Sequence, residues 1–280
     1  MAGRGVTSGP RNADPVIRYF DEVAQDYLGA YGPTETGARS FLFRERRRAA
    51  RDLLGSLPGG IIADVGCGPA IFAGPELAGF RWIFIDLSEG MIRQAKRHLE
   101  RAWGAARPPV ACVVGDVERL PLRGQCVDAV ICLGVLDYVA DHRLVLQEAF
   151  RALRPGGTLI VSIPNRRSLL GLSYRLTRVV LGPLVRRIRL LDRYVPPTSL
   201  LRQPGLRVRE YLVPRIAAEM ERMGFGLQEI RWLGFLCPLA RNWQIQRLSR
   251  LARWLAKTLP VWLSGWLART CMIAARKRGS

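Results

Sequence analysis

Residues 61–74, IIADVGCGPAIFAG, decide the fold. An apolar run of strand length meets an acid, Asp64, and passes at once into a turn built on Gly66 and Gly68. A strand that turns through two glycines brings bare backbone N–H groups to the carboxyl edge of a sheet, where open α/β folds bind ligands. Without side chains on the turn, a ligand can come close to the backbone.

Working outward, the same texture repeats. FRWIFID, ACVVGD, VDAVICLG and GTLIVSIP are further apolar runs, separated by helical segments such as LSEGMIRQAKRHLERAW and DHRLVLQEAFRALRPGG. Continuous apolar strands bounded by helices indicate a parallel sheet covered on both faces, so the fold class predicted is α/β, a doubly wound sheet. Residues 15–55 read as helical and residues 1–14 as a disordered tail. Towards the end come a helix, PRIAAEMERMGF, and two strand-like runs, LQEIRWLG and TCMIAARKR, placed to form an antiparallel pair at the sheet edge.

Two more acids identify the ligand class. Asp86 closes the second strand, twenty residues after Gly66, where a carboxylate can accept both hydroxyls of a ribose. Asp116 ends the third strand on the same edge, so the three acids are predicted to line one cleft. A dinucleotide fits poorly: the third position of a Gly-x-Gly-x-x-Gly turn is Ile71, and a pyrophosphate avoids a neighbouring carboxylate. An acidic cleft suits a cationic nucleoside, and S-adenosylmethionine carries both a ribose and positive charge.

The run from about 61 to 164 resembles a class I S-adenosylmethionine-dependent methyltransferase, of the large family that includes the quinone-biosynthesis methyltransferases. ADVGCGPA, IDLSEGMIRQA, GDVERLPL, VDAVICLGVLDYV and EAFRALRPGGTLIVSIPN carry the likeness, and YFDEVAQDY resembles the family's lid helix. The resemblance implies a seven-stranded, mostly parallel Rossmann-like sheet with N-terminal lid helices. It implies S-adenosylmethionine as cofactor, held by Asp64, Gly66, Cys67 and Gly68 at the methionine end, with Leu133 and Gly134 beside it. Asp86 and Leu87 would hold the ribose, and Asp116 with Val117 the adenine edge. Ala70 departs from the pattern, replacing a glycine common in this turn. The methyltransferase domain is expected over 15–164 and 210–280, interrupted by basic helical insertions at 165–209 and 237–268.

Transfer from a sulfonium needs chiefly an acceptor held in line and water excluded. A base matters only for a weakly acidic hydroxyl. GVLDYV faces the acceptor in the family, so Asp137 and Tyr138 are the catalytic candidates; packing is the competing role for Tyr138, and helix capping for Asp137. Asp141 reads as the N-cap of the helix that begins at His142. Tyr19, Tyr27 and Tyr31, with Phe20, are candidates for a lid over the substrate.

Charge is distributed unevenly. The net charge of +20 resides in two stretches: 165–209 holds eleven arginines against one acid, Asp192, and 231–280 holds ten basic residues and no acid. The remainder is neutral. Both stretches mix arginine with leucine, and the second adds Trp262 and Trp266, a composition suited to an anionic membrane surface. The opening residues lack the apolar core of a signal peptide, and no run is long and apolar enough to span a bilayer. Six cysteines without a Cys-x-x-Cys pair and two histidines argue against a zinc site and for a reduced compartment. The expectation is therefore a cytoplasmic enzyme, peripheral on the inner face of a membrane, that methylates a lipophilic small molecule, on oxygen before carbon. An RNA methyltransferase and a catalytically idle membrane-bound scaffold are the alternatives; nucleic acid is disfavoured because the aliphatic content suits lipid better than phosphate.

Overall fold

A computed structural model of the chain describes residues 13–31, 38–55, 57–74, 77, 79–104, 109–169, 171–172, 208–235, 254 and 258–279. Most of the 165–209 insertion and of the basic stretch before Pro260 thus lies outside the described residues, as does the tail up to residue 12.

The described residues open with three helices, α1 (Ala13–Val23), α2 (Tyr27–Tyr31) and α3 (Ala38–Leu54). There follow β1 (Gly60–Val65), β2 (Phe80–Asp86), α4 (Glu89–Trp103), β3 (Val110–Val114), β4 (Val127–Leu133), α5 (His142–Ala152) and β5 (Leu153–Pro164). α6 (Val213–Arg222), β6 (Phe225–Leu233), α7 (Val261–Leu267) and β7 (Thr270–Lys277) complete it. The strands form one seven-stranded sheet in the order β3-β2-β1-β4-β5-β7-β6. β1 to β5 pair in parallel, and β7 runs antiparallel between β5 and β6, the late antiparallel pairing the sequence predicts.

Alternation along the strands divides the core in two. Ala63, Val65, Val130, Cys132, Val161 and Ile273 face α5 and α6, meeting Leu146, Ile216 and Met220. Ile62, Phe84, Ile131, Ile160 and Met272 face α3 and α4, meeting Ala50, Leu54, Ile92 and Leu99. Both faces are dry, which explains why the strands read as unbroken apolar runs. On the second face Trp82 stacks on Phe84, with ring centroids 5.3 Å apart.

Because five neighbouring strands point the same way, their carboxyl ends share one rim. Antiparallel β7 pairs Thr270 with Pro164, so its first residue stands at that rim too. Two caps place helices there. Ser88 accepts a hydrogen bond from the Met91 N–H at 3.0 Å to start α4, and Asp141 accepts from the Arg143 N–H at 2.9 Å to start α5, as its position predicts.

Candidate active site

The strand rim and the N-terminal helices enclose a cavity. The turn after β1 supplies Gly66, Cys67 and Gly68 to its wall; β2 and the residues after it supply Asp86, Leu87 and Ser88. Asp116 and Val117 line it beyond β3, and Leu133, Gly134, Asp137 and Tyr138 at the end of β4. α1 covers it with Tyr19 and Phe20, and Tyr27 reaches it from α2. The Tyr31 side chain lies outside the described residues.

Gly66 and Gly68 have φ of +67° and +53°, backbone that glycine adopts freely. At Gly66 a Cβ would also stand 2.2 Å from Val135 Cγ2, whereas at Gly68 it would meet open space. The first glycine packs the turn and the second leaves room above it. Ala70 takes the same left-handed conformation, φ +57°, so the departure from the family's glycine sits in a backbone region that strains an alanine. The turn is tied to β2: the Gly66 and Cys67 N–H groups both donate to Ile85 O, at 2.7 and 3.1 Å.

Asp86 accepts from the Gly68 N–H at 2.8 Å through Oδ2 and from the Ser88 N–H at 2.9 Å through Oδ1. A carboxylate has about four lone-pair sites, so each oxygen keeps capacity for a hydroxyl. Burial pushes its pKa up, opposed by these backbone donors. Asp116 lies two residues beyond the end of β3 rather than on it, in a turn where its Oδ1 accepts from the Glu118 N–H at 2.8 Å.

Asp64 corrects the expectation of three acids on one wall. It is 1% exposed, on β1 beneath the turn, and does not line the cavity. Its Oδ2 has no hydrogen-bond partner. Burial, with Asp86's charge adding to it, raises its carboxyl to about 8. Beneath the turn there is thus a carboxyl held neutral at pH 7 by burial, whose ionised form a nearby cation would stabilise. Cys67, between the glycines, is buried, and its thiol is pushed up well above its usual range by that burial.

At the β4 end, Asp137 is half-buried, yet its Oδ1 has neither solvent contact nor hydrogen-bond partner. Burial raises its carboxyl to about 6, with Arg46 the largest opposing influence. Tyr138 meets Phe20 edge-on, ring centroids 5.3 Å apart, joining the end of β4 to α1. His142 lies away from the cavity, its Nε2 2.8 Å from Glu219 Oε2.

Arg46 is the residue the sequence reading misses. It projects from α3 into the cavity wall, 8% exposed, donating to Thr270 Oγ1 at 3.2 Å through Nη2 while its Nε has no partner. A Cβ at Gly134 would stand 3.1 Å from its Nη1. The signal was helical phase: in the arginine run of α3, position 46 falls on the stripe of Leu42, Phe43, Ala49, Ala50 and Leu53.

A methyltransferase domain model matches residues 63–161. The ubiquinone biosynthesis O-methyltransferase of Azorhizobium caulinodans is 30% identical over 226 residues, covering 78% of this chain and 79% of that protein. The chain belongs to the class I S-adenosylmethionine-dependent methyltransferases. The demethylmenaquinone methyltransferase of Renibacterium salmoninarum is also 30% identical, over 54% of this methyltransferase and 60% of its own length. Several curated relatives are spanned over only about half of their length, 43% to 60%. Among solved structures, magnesium protoporphyrin IX methyltransferase from Synechocystis with bound S-adenosylhomocysteine superposes with a TM-score of 0.61 at 17% identity, over 94% of this chain and 98% of that one. At that identity the likeness establishes the fold.

The cavity fits the donor this family uses. A left-handed glycine opens onto free space, Asp86 and Asp116 line the wall, and the wall also holds one buried guanidinium with an unpartnered N–H.

Proposed function

We propose that this methyltransferase moves a methyl group from S-adenosylmethionine to a hydroxyl of a lipophilic small molecule presented at a membrane surface. When bound, the donor supplies a methyl group on a sulfonium, which is transferred by direct displacement. Asp86 accepts the ribose hydroxyls and Asp116 with Val117 borders the adenine. Gly66, Cys67 and Gly68 border the methionine portion, with Leu133 and Gly134 opposite. Arg46, beside Gly134, is the counter-ion for the donor's carboxylate, and the donor's positive charge draws the buried Asp64 carboxyl, raised to about 8 without it, towards its ionised form.

Asp137 is the observation that carries the acceptor reading. An unpartnered, desolvated carboxylate oxygen in the cavity wall, with a carboxyl raised to about 6, is a base ready at neutral pH. A weakly acidic hydroxyl needs such a base; the reaction as a whole needs the apolar cover of Val16, Ile17, Phe20 and Val139 to exclude water. A lipophilic acceptor suits that cover and the quinone-pathway names of the two relatives. For the membrane surface, Leu169, Leu172 and Trp266 are exposed large apolar side chains, and the Arg167 guanidinium lies 6.0 Å from the Trp266 ring centroid. No helix among the described residues is long and apolar enough to cross a membrane.

The test is transfer of a labelled methyl group to lipid-soluble extracts, with mass spectrometry of the products for the added CH2. Since the base works deprotonated, the rate rises with pH through about 6 and then levels. Asp137→Asn lowers kcat about 10²-fold and flattens that rise while donor affinity holds. Wild-type kcat and pH profile in Asp137→Asn contradict the assignment.

A further inference from the structure

Asp21 stands near the carboxyl end of α1, where an acid opposes the helix's own dipole. Its partners lie on another element. Asp21 Oδ1 accepts from Ser88 Oγ at 2.6 Å and from the Gly90 N–H at 2.8 Å, using donors left over at the start of α4. Ser88 is the same residue whose backbone N–H donates to Asp86. One short segment therefore connects the ribose-binding carboxylate to the helix that roofs the cavity with Val16, Ile17, Tyr19 and Phe20.

Gly90 is the second mark of this contact. It is a poor helix former in the first turn of α4, at an ordinary φ. A Cβ there would stand 2.9 Å from Asp21 Oδ1, 3.1 Å from Ala24 Cβ and 3.3 Å from Asp21 Cα. Its lack of a side chain lets the end of α1 close directly onto α4.

We propose that Asp21, seated on Ser88 and Gly90, is a latch that holds α1 shut over the donor pocket, so that the donor product leaves only after this contact opens. The proposal rests on the reading of the cavity as the donor site. Asp21 touches no donor atom; it acts through Ser88 and α1 as a positioning residue. Breaking the latch frees α1 and lets the bound nucleoside escape, while Asp86, still held by the Gly68 N–H, keeps its contacts.

The test uses the full chain, with two measurements. Hydrogen exchange of the ligand-free protein reads α1 directly, and stopped-flow displacement of S-adenosylhomocysteine reads its escape rate. In Asp21→Ala, amide protection over 13–23 falls about tenfold and dissociation accelerates about tenfold, the scale of two lost hydrogen bonds. Asp21→Asn, which keeps an acceptor oxygen, restores part of both. Gly90→Ala reproduces both changes although alanine favours α4, and adding it to Asp21→Ala brings little more, because both break one contact. Unchanged protection of α1 in Asp21→Ala overturns the latch, as does lost protection with an unchanged dissociation rate. Failure of the wild-type chain to bind S-adenosylhomocysteine would instead refute the donor site, while exchange in the free protein would still show whether Asp21 holds α1.

Discussion

Gly66 carries two separate demands, a left-handed φ and a neighbour too close for any Cβ. Gly66→Ala should therefore destabilise the fold by roughly 2–4 kcal/mol, combining the left-handed penalty with overpacking. Val135→Ala removes the methyl groups in the way, so the double variant should recover about 1 kcal/mol or more relative to the sum of the single changes. Urea denaturation of the four proteins checks this, and strictly additive effects would show that Val135 is not what excludes a side chain at 66. Gly66, Gly68 and Asp86 were legible from the sequence because backbone freedom and strand-end carboxylates leave local signatures. Asp64 was only half legible. Its place at a strand end could be read, but which side of the turn it occupies depends on the pleat and on Gly66 packing against Val135. Arg46 was hidden among the neighbouring arginines of α3, and only its helical phase set it apart.

Among the elements, the strands were the most legible, since a sheet buried on both faces needs unbroken apolar runs. Boundaries were less so. Asp116 falls beyond β3, and the first helical stretch divides into α1 and α2, because residues 24–26 form a turn within an otherwise helical pattern. How α7 attaches was not readable at all, since its anchor comes from a hundred residues away. Asn165, the residue after β5, donates through Nδ2 to Gly265 O at 2.7 Å and to Ala268 O at 2.8 Å. Its Oδ1 accepts from the Arg167 N–H at 3.1 Å. Asn165→Ala leaves buried carbonyls unsatisfied and should cost about 2–4 kcal/mol. Thermal unfolding measures the loss, and hydrogen exchange should show α7 opening ahead of the sheet. Uniform loss of protection across the sheet would mean that Asn165 supports the core rather than this one helix.

At the scale of the whole molecule, a neutral scaffold carries two strongly basic stretches. If these meet lipid, the chain should float with anionic vesicles and not with neutral ones, each basic residue near the surface contributing about 1 kcal/mol, and salt should release it. Trp266→Ala should weaken that association without altering donor affinity, since Trp266 lies outside the cavity wall. Flotation independent of vesicle charge would remove the electrostatic part of the membrane reading and leave the enzyme reading intact.

Above all, the cleft at the strand rim must be a nucleoside site organised by Asp86. Isothermal titration of S-adenosylmethionine into the wild-type chain and into Asp86→Ala tests this directly. Loss of charge-assisted hydrogen bonds to two hydroxyls predicts affinity about 10²-fold weaker in the variant. Equal affinity in the two proteins would contradict this role for Asp86.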